Sequence, residues 1–490
     1  MLLGPGGRTG VIVANASGVF FVVLAVYGTV ILGIAWWSYR RTHTEADFLV
    51  AGRSIGALVG GATLAATQLS SGTVVGTIGF HYLTGVSWAW IWPGMWIGWI
   101  VSAVWVAPKL RAFGGVTVPD YIAVRFESER ARVVSAILIV VAYTVYLSAQ
   151  YTAGGIIFQA LFGWPFLSGV LVVALMTLLY TWMGGMRSSV YTDFAQALVM
   201  ALAFCVAVPL LLYRVGSFDL MGRLLTGIDA RLTGWYFGFG EVSVFALAFA
   251  LSAATAPYQI ARIYALKDVK TVRLAIGIAF IFQAVIGSVA LIAGLGIRAL
   301  FPVLPTPDLA SSILALQVLT PLAGSLLLVG ALSAIMSTCD SIMIISAAGL
   351  SHDLYGKLIR PLATEAEKLR INRWSVLIVG LIPLGLTFVD LGLVQEIVVD
   401  YAKIIASFFF IPVLLGLNWR RGTAAGTLAS MLGGFVAFFS WWWQRPDYPW
   451  GIDPIFPGVL VSLALFVGVS LLTRPVSDEA LAPFFDADSQ

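Results

Sequence analysis

Charge is what this chain of 490 residues lacks most. Asp, Glu, Lys and Arg make up 11% of it, where a soluble domain carries about 25%. Cysteine is nearly absent as well. Cys205 and Cys339 both fall inside apolar runs, which excludes a disulfide framework or a zinc ribbon. His43, His81 and His352 have no metal-ligand spacing, and no Gly-rich phosphate loop is present. The scattered acids and histidines supply no convergent acid/base or metal groups, so an enzyme is not expected. The net charge of +4 is not gathered into a DNA-binding motif, and nucleic acid is not an expected partner.

Apolar residues fill the space that charge leaves. They account for 60% of the chain, with a mean hydropathy of +0.94. A membrane-spanning helix needs ~20 predominantly apolar residues. Thirteen such runs are read, at 15–38, 57–80, 84–110, 131–160, 165–184, 190–214, 238–262, 271–298, 320–352, 373–391, 394–417, 421–443 and 454–474. They are continuous and do not alternate as barrel strands would, so an all-α membrane protein with a single transmembrane domain is predicted. The first run ends in WWSYRR (36–41) and reads as an uncleaved span, not a signal peptide.

Basic residues orient the chain. With the N-terminus outside, the loops that fall inside carry 21 of the 28 Lys and Arg and those outside carry 6, Lys403 lying within a span. Cytoplasmic loops are the ones enriched in Lys and Arg, so a plasma-membrane protein with a cytoplasmic C-terminus is expected. Segment 308–319 (DLASSILALQVL) is too short to span before Pro321 and reads as an amphipathic hairpin helix on the outer surface. The acidic tail 475–490 reads as disordered and cytoplasmic.

Two apolar runs are interrupted by polar groups. Segment 65–73 reads AATQLSSGT and segment 331–341 reads ALSAIMSTCDS. Polar atoms at membrane depth are costly and mark pathways or ion sites. In the second segment Ala334, Ser337, Thr338 and Ser341 recur at helical spacing and share one face, with Asp340 at its border. In the first, Gly60, Gly61, Ser70, Ser71 and Gly72 weaken the helix and free carbonyls near Ala66 and Leu69. Together these make a neutral oxygen cage for a small hard cation. The bland alternative is that the hydroxyls only bond their own backbone or cement helix contacts.

An internal echo supports a transporter. LAATQLSSG (64–72) and LSAATAPYQ (251–259) lie five spans apart in opposite senses, as in inverted repeats over 57–214 and 238–417 whose broken helices meet at a site.

The stretches ATQLSSGTVVG (66–76), VTVPDYIAVRF (116–126), YTWMGGMRSSVYTDFAQALVM (180–200) and AIMSTCDS followed by HDLY (334–355) resemble the sodium:solute symporter family. The likeness is nearest to its sodium/proline, sodium/pantothenate and monocarboxylate branches. It implies thirteen transmembrane helices, with a five-plus-five inverted-repeat core preceded by one helix and followed by two. It also implies a sodium ion on the carbonyls of Ala66, Leu69 and Ala334 and the hydroxyls of Ser337 and Thr338. Some members hold a second sodium, which here falls to Asp193, Asp340 and Ser341. Asp193 serves equally well as a helix N-cap beside Thr192. The implied partners are a small organic solute, sodium and the bilayer, with no obligatory protein partner.

Solute contacts are expected from Gln68, Ser70, Ser71 and Thr73 beside the unwound turn, and from Phe249, Ala253 and Pro257, spaced four apart on the seventh span. Tyr143, Tyr146 and Gln150 close the pocket from the fourth span. Lys403 either neutralises a solute carboxylate, pairs with Asp400 or snorkels outward. Proline symporters carry Asp where this chain has Gln68, and larger aromatics at two positions of the seventh-span stripe. The expected activity is import of a monocarboxylate, pantothenate or an amino acid such as proline, coupled to sodium by alternating access. The alternatives are proton coupling and a transporter-like solute sensor.

Overall fold

The computed structural model describes residues 7–389 and 391–485. Among these residues the only β-type pairing is the single bridge between Ile55 and Leu266. Eleven helical segments among the described residues are long and apolar enough to cross a membrane. Two of them are too long to be single passes. A helix of 50 residues, Phe166–Val215, would reach ~75 Å at 1.5 Å per residue, far beyond a hydrocarbon core of ~30 Å. It is interrupted at Gly185, whose φ of 53° and ψ of −138° leave helical space. A Cβ there would meet the Phe48 carbonyl oxygen at 2.4 Å, so only glycine fits. The second long segment, Gly72–Phe113, changes helical pitch repeatedly between Gly72 and Val106.

Helix Ala57–Gln68 ends at Leu69, whose φ of −80° and ψ of 84° stop the ladder, and a π-helical turn restarts at Gly72–Thr77. Gly60 and Gly61 do not bend it. At Gly61 a Cβ would fall 2.6 Å from Ile278, so the glycine lets this helix lie close against helix Val269–Leu300. A second break separates Phe239–Thr255 from Pro257–Ala265 at Ala256, where ψ reaches 121°. Pro257 starts the new helix, as expected for a residue with fixed φ and no N–H to lose.

Helix Pro321–Ala348 runs through the middle of the molecule and is buried from Leu327 to its end. In contrast, Val22, Val26, Val30 and Trp36 of the first helix are exposed, as a lipid-facing stripe should be. The connection at 307–318 departs from the expected surface hairpin. Asp308, Ala310, Ser311 and Ser312 are buried, and Asp308 accepts from the Val394 N–H at 3.1 Å. The segment is therefore wedged between helices, its hydroxyls turned inward. The tail also differs from expectation. Residues Asp478–Phe485 form a helix, held because Phe484 is buried against Phe113 and Tyr121, with ring centroids at 4.9 Å and 5.5 Å. Residues 486–490 lie outside the described residues.

Candidate functional site

The break after Gln68 faces the hydroxyl rung of helix Pro321–Ala348. Ser337 Oγ donates to the Ala66 carbonyl at 2.9 Å and lies 3.1 Å from the Ala334 carbonyl. Thr338 Oγ1 donates to the Thr67 carbonyl at 2.9 Å and also lies 3.1 Å from Ala334 O. All five residues are fully buried. Ala66 and Thr67 belong to the last turn of their helix, where carbonyls have no intrahelical partner. Two hydroxyls and three carbonyls thus converge, a neutral set suited to a hard monovalent cation. Leu69 sits at the break itself; Thr67, absent from the expected set, contributes a carbonyl.

One turn along the same helix, the neutral cage gives way to fixed charge. Asp193 and Asp340 are both fully buried, and so is Arg262. The Arg262 guanidinium donates to Asp193 Oδ2 at 2.8 Å, to Ser189 Oγ at 2.8 Å, to Thr63 Oγ1 at 2.9 Å and to Ser341 Oγ. It lies 3.5 Å from Asp340. Asp340 Oδ1 accepts from Ser189 at 2.9 Å, and Thr67 Oγ1 lies 3.1 Å from Ser341 Oγ. Asp193 is therefore no N-cap: it lies inside Phe166–Val215 and accepts from Thr63 and Thr67 across the helix packing. The structure brings Asp193, Asp340 and Ser341 together, with Arg262 in their midst. Asp193 Oδ1 and Asp340 Oδ2 have no hydrogen-bond partner, so two carboxylates share one guanidinium.

Beside the broken turn lies the central pocket. Of the residues expected there, Gln68, Ser70, Thr73, Tyr146 and Phe249 line it. Ser71, Tyr143, Ala253, Pro257 and Lys403 do not. The Ser71 N–H donates to Gln150 Oε1 at 2.9 Å. Tyr143 Oη accepts from the Tyr258 N–H at 2.9 Å, which ties down the second break. Pro257 leaves the stripe because the helix breaks at Ala256, and Ala253, on the same helix as Phe249, is buried against Gly98 instead. Gln68 Oε1 accepts from Gln259 Nε2 at 2.8 Å and from Tyr258 Oη at 2.5 Å, joining the two breaks. Trp92, Met95, Tyr258, Gln395 and Tyr401 complete the wall, with Tyr146 and Tyr401 stacked at 4.0 Å. No charged side chain is among the lining residues, and the free space is ≈ 20 Å³, room for about one water.

Lys403 belongs to a different cavity, of ≈ 720 Å³, lined also by Phe80, Phe245, Asp400, Arg445 and Asp453. It pairs there with Asp453 and not with Asp400, which instead takes Arg445 at 3.0 Å and the Trp442 N–H at 2.8 Å. At the opposite, Arg-rich end, Arg132 bridges Asp120 and Asp353. His352 contacts Glu45 at 3.0 Å and Asp120 at 2.9 Å. Burial pushes the Asp120 carboxyl up, yet His352 and Arg132 outweigh it and hold Asp120 well below the usual carboxylate range. Asp120, His352 and Asp353 offer ligand atoms within 4.8 Å of one another, but the Arg132 guanidinium already serves both carboxylates.

Of these groups Arg262, Tyr258 and Gln259 were missed. Their signal was Pro257 itself, which breaks the seventh span just as Ser70 to Gly72 break the second. Tyr258, just after that break, lines the pocket, and Gln259 beside it bonds Gln68.

The family model for the sodium:solute symporter family matches residues 48–434. The osmoregulated proline transporter of Bacillus subtilis (strain 168) is 28% identical over 466 residues, 92% of this chain and 94% of the relative. A sodium/proline symporter of Staphylococcus aureus (strain bovine RF122 / ET3-1) is 28% identical over 486 residues, 94% of each. Among solved structures, a Na+-coupled sialic acid symporter in a substrate-bound outward-open state matches with a TM-score of 0.81 at 15% identity, covering 94% of this chain and 99% of that one. A nucleobase-cation-symport-1 family transporter in a closed conformation matches with a TM-score of 0.61 at 12% identity, over 90% and 98%.

Proposed function

We propose that this chain, which belongs to the sodium:solute symporter family, imports a small carboxylate-bearing solute by sodium symport. The family is one of transporters, not enzymes. The observation that carries the reading is the pair Ser337 and Thr338 laid against the Ala66 and Thr67 carbonyls at a helix break. A sodium ion entering this cage replaces those hydrogen bonds with coordination and so fixes the two helices relative to each other. Gln68, one residue beyond Thr67, then presents a completed pocket to the solute. Each ligand raises the other's affinity by the same factor, typically worth 1–3 kcal/mol. Membrane potential adds ~2.3 kcal/mol per charge per 100 mV.

The solute class follows from the pocket. Its walls are hydroxyls, amides and aromatic rings without a charge; once the ≈ 20 Å³ of free space widens to admit a solute, that lining suits a zwitterion or monocarboxylate such as proline, pantothenate or a short monocarboxylate. The proline names of the relatives favour the amino acid. The carboxylate falls to the ion and to backbone N–H groups at the breaks, not to Lys403.

We read the chain as thirteen spans, Phe166–Val215 counting as two and Ala57–Gln68 together with the Gly72–Phe113 segment as two. The repeats are 57–214 and 238–417, one span before them and two after. The breaks at Leu69 and Ala256 support this inverted pairing. The orientation places the N-terminus outside and the C-terminus in the cytoplasm, so the cavity around Lys403 opens outward and the Arg132 cluster closes the inner side.

The cluster at Arg262 favours a second reading of stoichiometry. With both acids ionised it carries one excess negative charge, and buried charge of that kind is costly unless paired. Either a second sodium on Asp193, Asp340 and Ser341 or a proton balances it. Uptake of radiolabelled proline and related carboxylates into proteoliposomes tests the whole reading. Accumulation is expected with an inward sodium gradient; equal accumulation under a proton gradient without sodium would replace sodium by proton coupling. Binding without accumulation would make the protein a sensor.

A further inference from the structure

At the Arg-rich end of the bundle, a cavity of ≈ 420 Å³ opens between helices Glu365–Leu381 and Phe166–Val215, lined by Trp182, Leu369, Arg370, Arg373 and Trp374. Arg373 holds its guanidinium over two rings, 4.8 Å from Tyr39 and 5.4 Å from Trp182. Its Nε is buried with no hydrogen-bond partner. Of the arginines tucked between elements here, Arg132 has Asp120 and Arg187 has Asp47, while Arg125 has the carbonyls of Gly416 and Trp419. The acids nearest Arg373 along its own helix are already engaged. Glu365 takes Lys368 and the Glu45 N–H, and Glu367 caps the helix at Thr364. Among the described residues no carboxylate forms an ion pair with Arg373; Glu367 lies near enough to Arg370 to feel its charge, but its oxygens are held at Thr364.

We infer that the cavity between Trp182 and Trp374 binds the phosphate headgroup of an anionic phospholipid through Arg370 and Arg373. Basic pockets between spans on the cytoplasmic side suit such headgroups, and Trp and Tyr gather at the same depth. Two features choose a lipid over free phosphate. Trp374, Ile378 and Leu381 are exposed in sequence along the helix, an apolar track leading from the arginines toward the bilayer centre for an acyl chain. Arg40 and Arg41, stacked on Trp36 and Trp37 beside Tyr39, extend positive charge along the same membrane interface. A bound headgroup would bridge the first helix, Phe166–Val215 and Glu365–Leu381, next to Lys368, which reaches Glu45 of the inner cluster. The inference is independent of which solute or ion is carried.

Native mass spectrometry of the full chain, released from nanodiscs of mixed phosphatidylcholine and phosphatidylglycerol, tests it. The wild type is expected to retain phosphatidylglycerol selectively. Each arginine near an anionic surface contributes about fivefold, so Arg370→Gln with Arg373→Gln should lower retention by more than tenfold. Arg445→Gln, in the outer cavity, should leave it unchanged. Equal retention in the double variant, or no preference over phosphatidylcholine, overturns the site. Displacement of the lipid by millimolar inorganic phosphate would assign it to the free anion instead. Because the double variant can lose stability, the wild type is also melted in each lipid; a Tm that ignores phosphatidylglycerol overturns the proposal without any mutation.

Discussion

Two buried polar regions lie one helical turn apart on Pro321–Ala348, and they are built from opposite materials. At Ser337 and Thr338 every ligand is neutral: hydroxyls and the carbonyls of Ala66, Thr67 and Ala334. At Asp340 and Ser341 the ligands include two carboxylates, and the cation is Arg262, part of the chain. A transported ion must bind and leave, which weak dipoles permit. A tethered guanidinium never leaves, so full charges cost nothing in turnover and lock four helices together. Thr67 touches both regions, its carbonyl serving Thr338 and its hydroxyl serving Asp193 and Ser341.

Removing the tethered cation should produce the largest effect. Arg262→Met leaves two buried carboxylates unpaired, and breaking such a pair costs roughly 3–5 kcal/mol. The expected outcome is a large drop in Tm that NaCl partly restores and choline chloride does not, because sodium can then occupy the vacated position. If both salts act alike, the charged region does not accept a cation.

Next in size are the neutral ligands. Ser337→Ala or Thr338→Ala should raise the sodium needed for half-maximal uptake by roughly tenfold, the worth of one bond to a charged group. Their Tm without sodium should stay close to wild type. A wild-type sodium requirement in both variants would move the transported ion elsewhere.

Smaller again is the coupling between the breaks. Tyr258→Phe removes the bond to Gln68, worth about 1 kcal/mol. Solute KM should rise about fivefold with the sodium requirement nearly unchanged, as measured by uptake at saturating sodium.

The smallest effect concerns Asp308, outside the spans. Burial pushes its carboxyl up to about 6, the Val394 N–H opposing and Glu396 assisting. A carboxyl raised in the folded state binds its proton more tightly there than when unfolded. It therefore subtracts stability as pH rises from about 4 to 6, and nothing further above that. Asp308→Asn should flatten this part of the Tm–pH profile; an unchanged slope would show that the hairpin is insensitive to its charge.

Much of this was legible in the chain. The apolar runs gave the helices, and the polar words AATQLSSGT and ALSAIMSTCDS gave the facing rungs of the cage, because hydroxyls at that depth need a reason. What stayed hidden depended on partners distant in sequence. Lys403 looked like a partner for a solute carboxylate until Asp453 drew it into a separate cavity. The seventh-span stripe read as one face because helical spacing was carried across the break to Pro257, and because the packing of Ala253 against Gly98 depends on a distant helix. Arg262 sat at the end of an apolar run and looked like one more interfacial arginine; only packing brings it between Asp193 and Asp340. The tail looked disordered because its acidic residues mask Leu481, Phe484 and Phe485, the side chains that anchor it.

The central claim is that the neutral cage, not the charged cluster, holds the transported sodium. Thermal melting of purified wild type and of the Ser337→Ala, Thr338→Ala double variant, in NaCl against choline chloride, tests it without knowledge of the solute. The account predicts a sodium-specific rise in Tm for the wild type that vanishes in the double variant. An equal sodium-specific rise in both would contradict it.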